Sequence, residues 1–257
     1  MGRRARVHLK FDTGMERIGV HWYSADALCE AALSASHIDV EGVYSHLARS
    51  EDGDPAYTHT QLERFRDVLA DWSARGLRPR FRHIANSGAV LQHPDAWFDL
   101  VRPGISLYGV APDPDLRLPD GVRSALRWVS RVVYFKVVKP GNPVSYGSTW
   151  APERMTRVVT VPVGYGDGYF RAMSGKARVL IGGRSYPVVG RICMDQLMVD
   201  IGQDSAFNGD EVVLLGTQGD ASITAEDLAA WSETIAYEVL TNINTRVPRV
   251  YSGRGPD

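Results

Sequence analysis

In the first 110 residues, short apolar runs that end in turn residues alternate with longer amphipathic runs. The apolar runs predict four β-strands, at 7–14, 42–48, 80–88 and 100–109, with helices between them. Strands that alternate with helices pair in parallel through right-handed crossovers. Because a closed parallel barrel needs about eight such strands, residues 1–115 are predicted to form half of a (β/α)8 TIM-type barrel.

A different pattern follows a Pro- and Asp-rich linker at 112–122. Alternating strand-like runs occupy 124–138, 157–169, 176–190 and 211–216, and Gly182-Gly183 predicts a tight hairpin turn between two of them. A helical run at 222–243 and a strand-like run at 246–251 close the chain. Residues 116–257 are therefore predicted to form a C-terminal, mainly antiparallel β domain.

Charge and cysteine content exclude several classes of protein. Lys and Arg total 29 against 30 Asp and Glu, so no net field attracts nucleic acid or an anionic membrane. The two cysteines, Cys29 and Cys193, are too few for a disulfide framework and lack the CxxC spacing of zinc or redox sites. No transmembrane span and no metal site are predicted, and a reducing cytoplasm is the expected location.

Two turns in the first domain are candidates for an anion site. Asn86-Ser87-Gly88 opens a helical run, and Gly104 follows Pro103 in the run DLVRPGISLYG. Backbone N–H groups in such turns can face an anion, and the last strand ends of a parallel barrel commonly bind phosphate. The alternative is two ordinary turns with glycine where the backbone requires it.

Three basic side chains fall at the ends of the predicted parallel strands, beside these turns. His46 lies in YSHLA, His83 in RHIANS, and Arg102 on the last predicted strand. Together they indicate a phosphorylated, aromatic or acidic ligand, although each histidine alone could be a core residue. Tyr146, in a loop of the second domain, could be a general acid or base if cations lower its pKa, or only a packing residue.

Eight motifs in this order resemble those of alanine racemases, a family of pyridoxal-phosphate enzymes with a barrel and a C-terminal β domain. They are LKFDTGMERIG, YSHLA, HIANSG, VRPGISLYG, VSYGSTW, VPVGYGDGY, GRICMDQLMVD and NINTRVPRVY. Together they span essentially the whole chain. The resemblance implies a racemase that interconverts L- and D-alanine through a pyridoxal-phosphate aldimine and supplies D-alanine for peptidoglycan.

The resemblance also implies how the cofactor is bound. Ser87 and the backbone of Gly104 and Ile105 would bind its phosphate, with Asn86 in the same turn. Arg102 would face the pyridine nitrogen. Because a guanidinium does not give up its proton, the ring would stay unprotonated and stabilise negative charge less strongly.

Further roles follow from the same resemblance. His83 would support Arg102, and His46 would connect Arg102 toward Tyr146. Tyr146 would be one of two catalytic bases, with a lysine acting on the opposite face of the substrate. Tyr146 would remove the Cα proton on one face while the lysine returns a proton on the other.

The substrate would be bound by other matching positions. Arg17 would engage the carboxylate together with the backbone N–H of Met194, and Lys10 matches a position that several members carry as a carbamate. Tyr165 resembles a tyrosine at the pocket entrance. In the family Tyr146, Tyr165 and Met194 come from the partner subunit, so a homodimer is implied.

The sequence departs from the family pattern in two ways. The KANAYGHG-like motif of the cofactor lysine is absent, and the lysines present are Lys10, Lys136, Lys139 and Lys176. The expectation is a C-terminal portion of a racemase, carrying about the last four βα units and inactive alone. Thr245 replaces a tyrosine that narrows the pocket in some members, so a serine or broad-specificity racemase is an alternative.

Two more alternatives come from other classes of function. A truncated racemase could persist as a non-catalytic cofactor-binding remnant. A barrel aldolase would need a Schiff-base lysine or a metal set, and the sequence shows neither.

Overall fold

A computed structural model describes residues 4–252. The chain divides into two compact units, one ending at Arg123 and the other beginning at Ser124. The predicted boundary at 115/116 lies in the described stretch 109–127, which contains no helix or strand.

The first unit is a four-stranded sheet with three helices. All its strand pairs are parallel, and the strand order is β2-β1-β3-β4. The strands are β1 (Ala5–Asp12), β2 (Val20–His21), β3 (Ile38–Tyr44) and β4 (Phe81–His83). The helices are α1 (Ala25–Ser34), α2 (Ala56–Ala74) and α3 (Ser87–Gln92). The predicted alternation of parallel strands and helices is confirmed for β1, β3 and β4.

One face of this sheet packs against the helices. Phe11 of β1 stacks on Phe65 of α2, with ring centroids 5.1 Å apart, and lies 5.5 Å from the Trp72 ring. These side chains and Val43 of β3 are at most 1% exposed. Burying each such side chain contributes about 1.5–3 kcal/mol, so this layer fixes the sheet on which the site is built.

The opposite face carries polar side chains in register. Lys10 pairs with Tyr44, and Tyr44 pairs with His83. Neighbouring residues in register project to the same side of a sheet. The register shifts between Val7 and His8, because β3 contains one extra residue at this point.

The prediction of a strand at 100–109 is wrong. Asp99 N–H donates to Arg82 O at 3.1 Å and Arg102 N–H donates to Ala85 O at 3.0 Å, so the segment runs beside the end of β4. Pro103 then has no N–H to continue a ladder, and residues Ile105–Tyr108 form a 3₁₀ turn. The segment keeps its place next to β4 without forming a regular strand.

The second unit is built on antiparallel strands, as predicted. Its sheet has the order β12-β11-β8-β9-β10-β7-β6, and β5 also pairs with β11. The strands are β5 (Trp128–Arg131), β6 (Tyr134–Val138), β7 (Thr156–Val161), β8 (Arg178–Ile181), β9 (Arg184–Val189), β10 (Leu197–Gly202), β11 (Glu211–Gln218) and β12 (Ala221–Ile223). Gly182 and Gly183 form the predicted hairpin turn between β8 and β9, with φ of 57° and 77°. Positive φ at both turn residues is the geometry that favours glycine.

The C-terminal region differs from expectation in two places. The helical run is two helices, α4 (Ala225–Ser232) and α5 (Ala236–Asn242), because the chain turns at Glu233 with φ of 60°. The run 246–251, expected as an edge strand, is not a strand. Arg249 instead donates to Val247 O at 2.6 Å and to Ile243 O at 2.7 Å, which folds this segment onto its own carbonyl groups.

Among residues 4–252, no helix is both long and apolar enough to span a bilayer.

Candidate active site

The structure brings together three residues that the sequence placed at strand ends. Arg102 Nη1 donates to His83 Nδ1, and Arg102 Nη2 lies 3.3 Å from His46 Nδ1. Nη2 also donates to Ser45 O at 2.8 Å. The guanidinium carbon lies 5.4 Å from the centre of the Tyr44 ring. Arg102 is thus bound on several sides by the ends of β3 and β4.

Both histidines are neutral near pH 7. Burial, and then the positive charge of Arg102, lower the pKa of His46 and of His83 from 6.5 to about 4. Burial also lowers the pKa of Arg102. A guanidinium has only donors, so each Nδ1 that faces it must accept, and the ring proton of each histidine resides on Nε2.

The predicted anion turns lie side by side. Ser87 Oγ accepts from Gly104 N–H at 2.8 Å and from Ser106 N–H at 3.5 Å. Asn86 Oδ1 accepts from Ala89 N–H at 3.2 Å and so caps α3. The Asn86 side chain therefore shapes the turn, and Ser87 Oγ, which accepts from the Gly104 backbone, can still donate its own O–H to an anion.

Gly104 leaves open space at this position. A Cβ atom on Gly104 would meet only Ser87 Oγ, at 4.0 Å, and its φ of −101° does not require glycine. Ser87 is buried whereas Gly104 is exposed, so an anion would meet the Gly104 backbone first. The Ser87 hydroxyl beside this open backbone suits a small anion such as a phosphate group.

The loop after β1 carries Arg17. Asp12 accepts from the N–H groups of Gly14 and Met15, both at 2.8 Å, and from Arg17 N–H at 3.3 Å. Burial raises the pKa of Asp12, but these backbone donors outweigh it, and the pKa lies below its usual value. The ionised carboxylate thus holds the loop, and Arg17 is exposed on it.

Lys10 adds a third basic side chain near Arg17 and Arg102. Its Nζ donates to Ile18 O. Burial lowers the Lys10 pKa, and Arg17 and Arg102 lower it further against the opposing effect of Asp12. Lys10, Arg17 and Arg102 each also act electrostatically on His46. Three cations around a neutral histidine favour an anionic ligand.

Tyr146 lies in the second unit on a strained turn. It begins the 3₁₀ turn Tyr146–Ser148 and is 72% exposed. Ser145 and Ser148 have φ of 69° and 50°, values that are uncommon for residues other than glycine. Ser145 Oγ donates to Arg191 O at 2.6 Å and secures this turn.

Tyr165 and Met194 are neighbours in the second unit. Tyr165 N–H donates to Cys193 O at 3.0 Å, and Gly166 N–H donates to Met194 O at 2.7 Å. A Cβ on Gly164 would lie 2.1 Å from Cys193 O, so only glycine permits this close approach. Thr245 is exposed, and its Oγ1 donates to Asn244 Oδ1 at 3.3 Å.

Two residues at the Arg102 cluster were not predicted. The Tyr44 ring stacks on His83, with centroids 5.0 Å apart and an angle of 5° between the planes. His8 Nδ1 lies 2.8 Å from His83 Nε2. The available signal was the alternation VHLKFD in β1, which places His8 on the same strand face as Lys10.

Family models match nearly the whole chain. The model for the alanine racemase N-terminal domain matches residues 1–112, and the model for the C-terminal domain matches residues 125–251. The chain is 46% identical to alanine racemase of Symbiobacterium thermophilum over 254 residues, 98% of this chain and 67% of that protein. It is 47% identical to alanine racemase of Carboxydothermus hydrogenoformans over 246 residues, 95% of this chain and 67% of that protein.

Solved structures agree with the sequence comparison. The crystal structure of alanine racemase from D-cycloserine-producing Streptomyces lavendulae superposes with a TM-score of 0.95 at 43% identity, covering 98% of this chain and 68% of that one. The crystal structure of alanine racemase from Bacillus anthracis with bound L-Ala-P superposes with a TM-score of 0.90 at 35% identity, covering 98% of this chain and 66% of that one.

Proposed function

Because this chain belongs to the alanine racemase family, we propose that it interconverts L- and D-alanine with pyridoxal 5'-phosphate as cofactor. The observation that supports this most directly is the Arg102 guanidinium, held by His83 and Ser45 next to the Ser87–Gly104 turn. A cation beside the open backbone at Gly104 is the arrangement that a ring with a phosphate group needs.

The first unit offers the groups that would hold the cofactor. Ser87 and the backbone at Gly104 and Ile105 would bind the phosphate, and Arg102 would donate to the pyridine nitrogen. Pyridoxal phosphate, when bound, supplies the conjugated ring that makes the Cα proton of an amino acid acidic. The four-stranded parallel sheet would belong to a (β/α)8 barrel.

Arg102 would determine how strongly the bound cofactor raises the acidity of the Cα proton. Its guanidinium donates a hydrogen bond while keeping its own proton. The neutral His83 and His46 accept from Arg102 and cannot pass it a proton from Nδ1. Arg102 therefore favours return of the proton to Cα, which is racemisation, over proton transfer to another carbon.

The cations around His46 would bind the substrate carboxylate. Arg17 is the exposed member of the group, and the Met194 N–H would add a neutral donor. Lys10 as a carbamate would become an anion and would attract Arg17 instead of repelling it. Both charge states leave Arg17 as the direct partner of the substrate.

Tyr146 would hold or remove the Cα proton on one face. The strained turn would fix the backbone at Tyr146 before substrate arrives, so less ordering of this segment would be needed during the reaction. We infer a homodimer in which each subunit supplies Tyr146, Tyr165 and Met194 to the other. The product D-alanine would serve peptidoglycan synthesis in the cytoplasm.

A polypeptide of these 257 residues is expected to be inactive alone. None of its four lysines lies in the sequence context of the family's cofactor lysine, and Tyr146 would be only one of two bases. The test measures D-alanine formed from L-alanine by the chain alone. The assay is repeated after adding the third of the Symbiobacterium thermophilum racemase that this chain does not match.

Activity only in the mixture would support both the function and the need for a supplied lysine. Turnover by the chain alone would refute its inactivity, and no turnover in either sample would favour the non-catalytic remnant. Because Thr245 is short and exposed, rates on serine and alanine should be compared. Similar rates would favour a broad-specificity racemase.

A further inference from the structure

His8 extends the cluster of rings behind Arg102. It lies within β1, and its Nδ1 is 2.8 Å from His83 Nε2. The two ring centroids are 5.0 Å apart. His83 therefore contacts Arg102 through one nitrogen and His8 through the other.

The fold provides space for the His8 ring in this position. His8 pairs with Gly42 of β3. A Cβ on Gly42 would lie 2.4 Å from His8 Nδ1 and 2.5 Å from its Cε1. Gly42 does not have positive φ, so the reason for glycine here is space and not backbone conformation.

The extra residue of β3 lies beside the same ring. Val7 pairs with Val40 and His8 pairs with Gly42, which leaves Glu41 as the inserted residue. Such bulges often redirect a side chain. Glu41 Oε2 lies 3.9 Å from His8 Nε2, and Glu41 Oε1 accepts from Arg6 at 3.0 Å.

The groups present determine which atom donates and which accepts in each of these contacts. Arg102 can only donate, so His83 Nδ1 accepts and the proton of His83 is on Nε2. His83 Nε2–H then donates to His8 Nδ1, which places the proton of His8 on Nε2, toward Glu41. Each contact is consistent with only one tautomer of each histidine.

We propose that His8 is a positioning residue, which fixes the tautomer of His83 and thereby keeps an acceptor facing Arg102. Its role in the reaction rests on the proposed function, whereas its effect on His83 does not. Without an acceptor at His8, only Arg102 opposes the tautomer of His83 that carries its proton on Nδ1, and that tautomer becomes more populated. That tautomer would point a donor at the Arg102 donor and displace the guanidinium.

The direct test is the tautomer of His83 in the wild-type chain, read from the ring nitrogen resonances in ¹⁵N NMR at neutral pH. We expect Nε2 to carry the proton. The matched variants are His8→Leu, which removes the acceptor, and His8→Asn, whose Oδ1 occupies nearly the position of Nδ1. The Nε2–H signal should be lost or reduced in H8L and retained in H8N.

Two results would overturn the proposal. One is a wild-type chain in which His83 carries its proton on Nδ1. This measurement does not depend on the folding of any variant. The other is an unchanged His83 tautomer in a folded H8L. If H8L does not fold, Gly42→Ala provides a second variant, because its Cβ would push the His8 ring away from His83 and should produce the same loss.

Pyridoxal-phosphate binding is a separate readout. We expect H8L to weaken binding about tenfold, as for one lost hydrogen bond of ordinary strength, and H8N to restore it. Equal affinity in wild type and H8L would remove His8 from the proposed function. If wild type binds no cofactor even with the lysine-bearing segment supplied, the proposed function fails, while the tautomer result still decides the role of His8 toward His83.

Discussion

Arg102 Nη2 donates a 2.8 Å hydrogen bond to the carbonyl oxygen of Ser45, which follows the last residue of β3. The orientation of the guanidinium is therefore tied to the backbone of a neighbouring strand as well as to side chains. This attachment explains why a flexible residue on an irregular segment can serve as a fixed donor.

Arg102→Lys should lower racemase activity at least tenfold. An ammonium keeps the charge, but its donors all lie on one nitrogen and cannot reach both His83 and Ser45 O as Nη1 and Nη2 of the guanidinium do. Racemisation is measured in the complex that supplies the lysine-bearing segment. Unchanged activity would show that the geometry of the guanidinium is not used.

Gly104→Ala should weaken pyridoxal-phosphate binding at least tenfold and change the free energy of unfolding by no more than about 1 kcal/mol. The new methyl group would meet only Ser87 Oγ within 4 Å, so the folded chain can accommodate it, but it would occupy the space proposed for the phosphate. Binding is followed by absorbance and stability by urea unfolding.

Gly53→Ala is the matched control for Gly104→Ala. A Cβ on Gly53 would have no neighbouring atom within 4 Å, and the φ of Gly53 is not positive. The control should leave cofactor affinity unchanged. An equal loss of affinity in both variants would contradict the phosphate site.

Gly164→Ala should destabilise the second unit by about 1–3 kcal/mol or more, the range for overpacking. The added Cβ would lie 2.1 Å from Cys193 O and 2.5 Å from Met194 C, and these are backbone atoms that cannot rotate away. Urea unfolding of this variant is compared with Gly53→Ala. Wild-type stability would show that the loop at 193–194 shifts without cost.

Stability should fall as the pH is lowered from 6.5 toward 4. The pKa values of His46 and His83 are about 4 in the folded chain, below the ordinary 6.5. The unfolded chain therefore binds more protons in this range, and the stabilisation present above pH 6.5 is lost toward pH 4. Burial lowers the pKa of His93 as well, so His93 contributes in the same direction.

Urea unfolding at several pH values measures this dependence. His46→Gln and His83→Gln should each reduce the slope of stability against pH, because each removes one group that titrates differently in the two states. If the slope of stability against pH were unchanged in both variants, the pH dependence would come from other groups.

Lys10 should take up carbon dioxide. Burial lowers its pKa, which increases the fraction of neutral amine, and that amine adds CO₂ with release of one proton. We expect a carbamate resonance in ¹³C NMR after labelling with ¹³C-bicarbonate, and its absence in Lys10→Gln. A signal that persists in the variant would belong to another amine.

The sequence was sufficient for features that depend on local pattern. The strands β1, β3 and β4, the hairpin at Gly182-Gly183 and the cluster of His46, His83 and Arg102 all follow from periodicity, turn residues and strand ends. The segment 100–109 was misassigned because its apolar residues suit a strand, whereas Pro103 interrupts the hydrogen bonding. His8 was missed because it lies within a strand, and only the pairing with β3 directs it toward His83.

The inserted residue in β3 has one more consequence. Val40 and Val43 are three positions apart, yet both pack in the helix-facing core, which an uninterrupted strand with a two-residue period does not permit. Glu41 changes the parity of the strand, so that apolar residues occupy even positions before it and odd positions after it. Without Glu41, Val40, Gly42, Val43 and Tyr44 would alternate regularly opposite β1, so Val40 would stay in the core and Tyr44 beside the guanidinium, and only the carboxylate next to His8 would be lost.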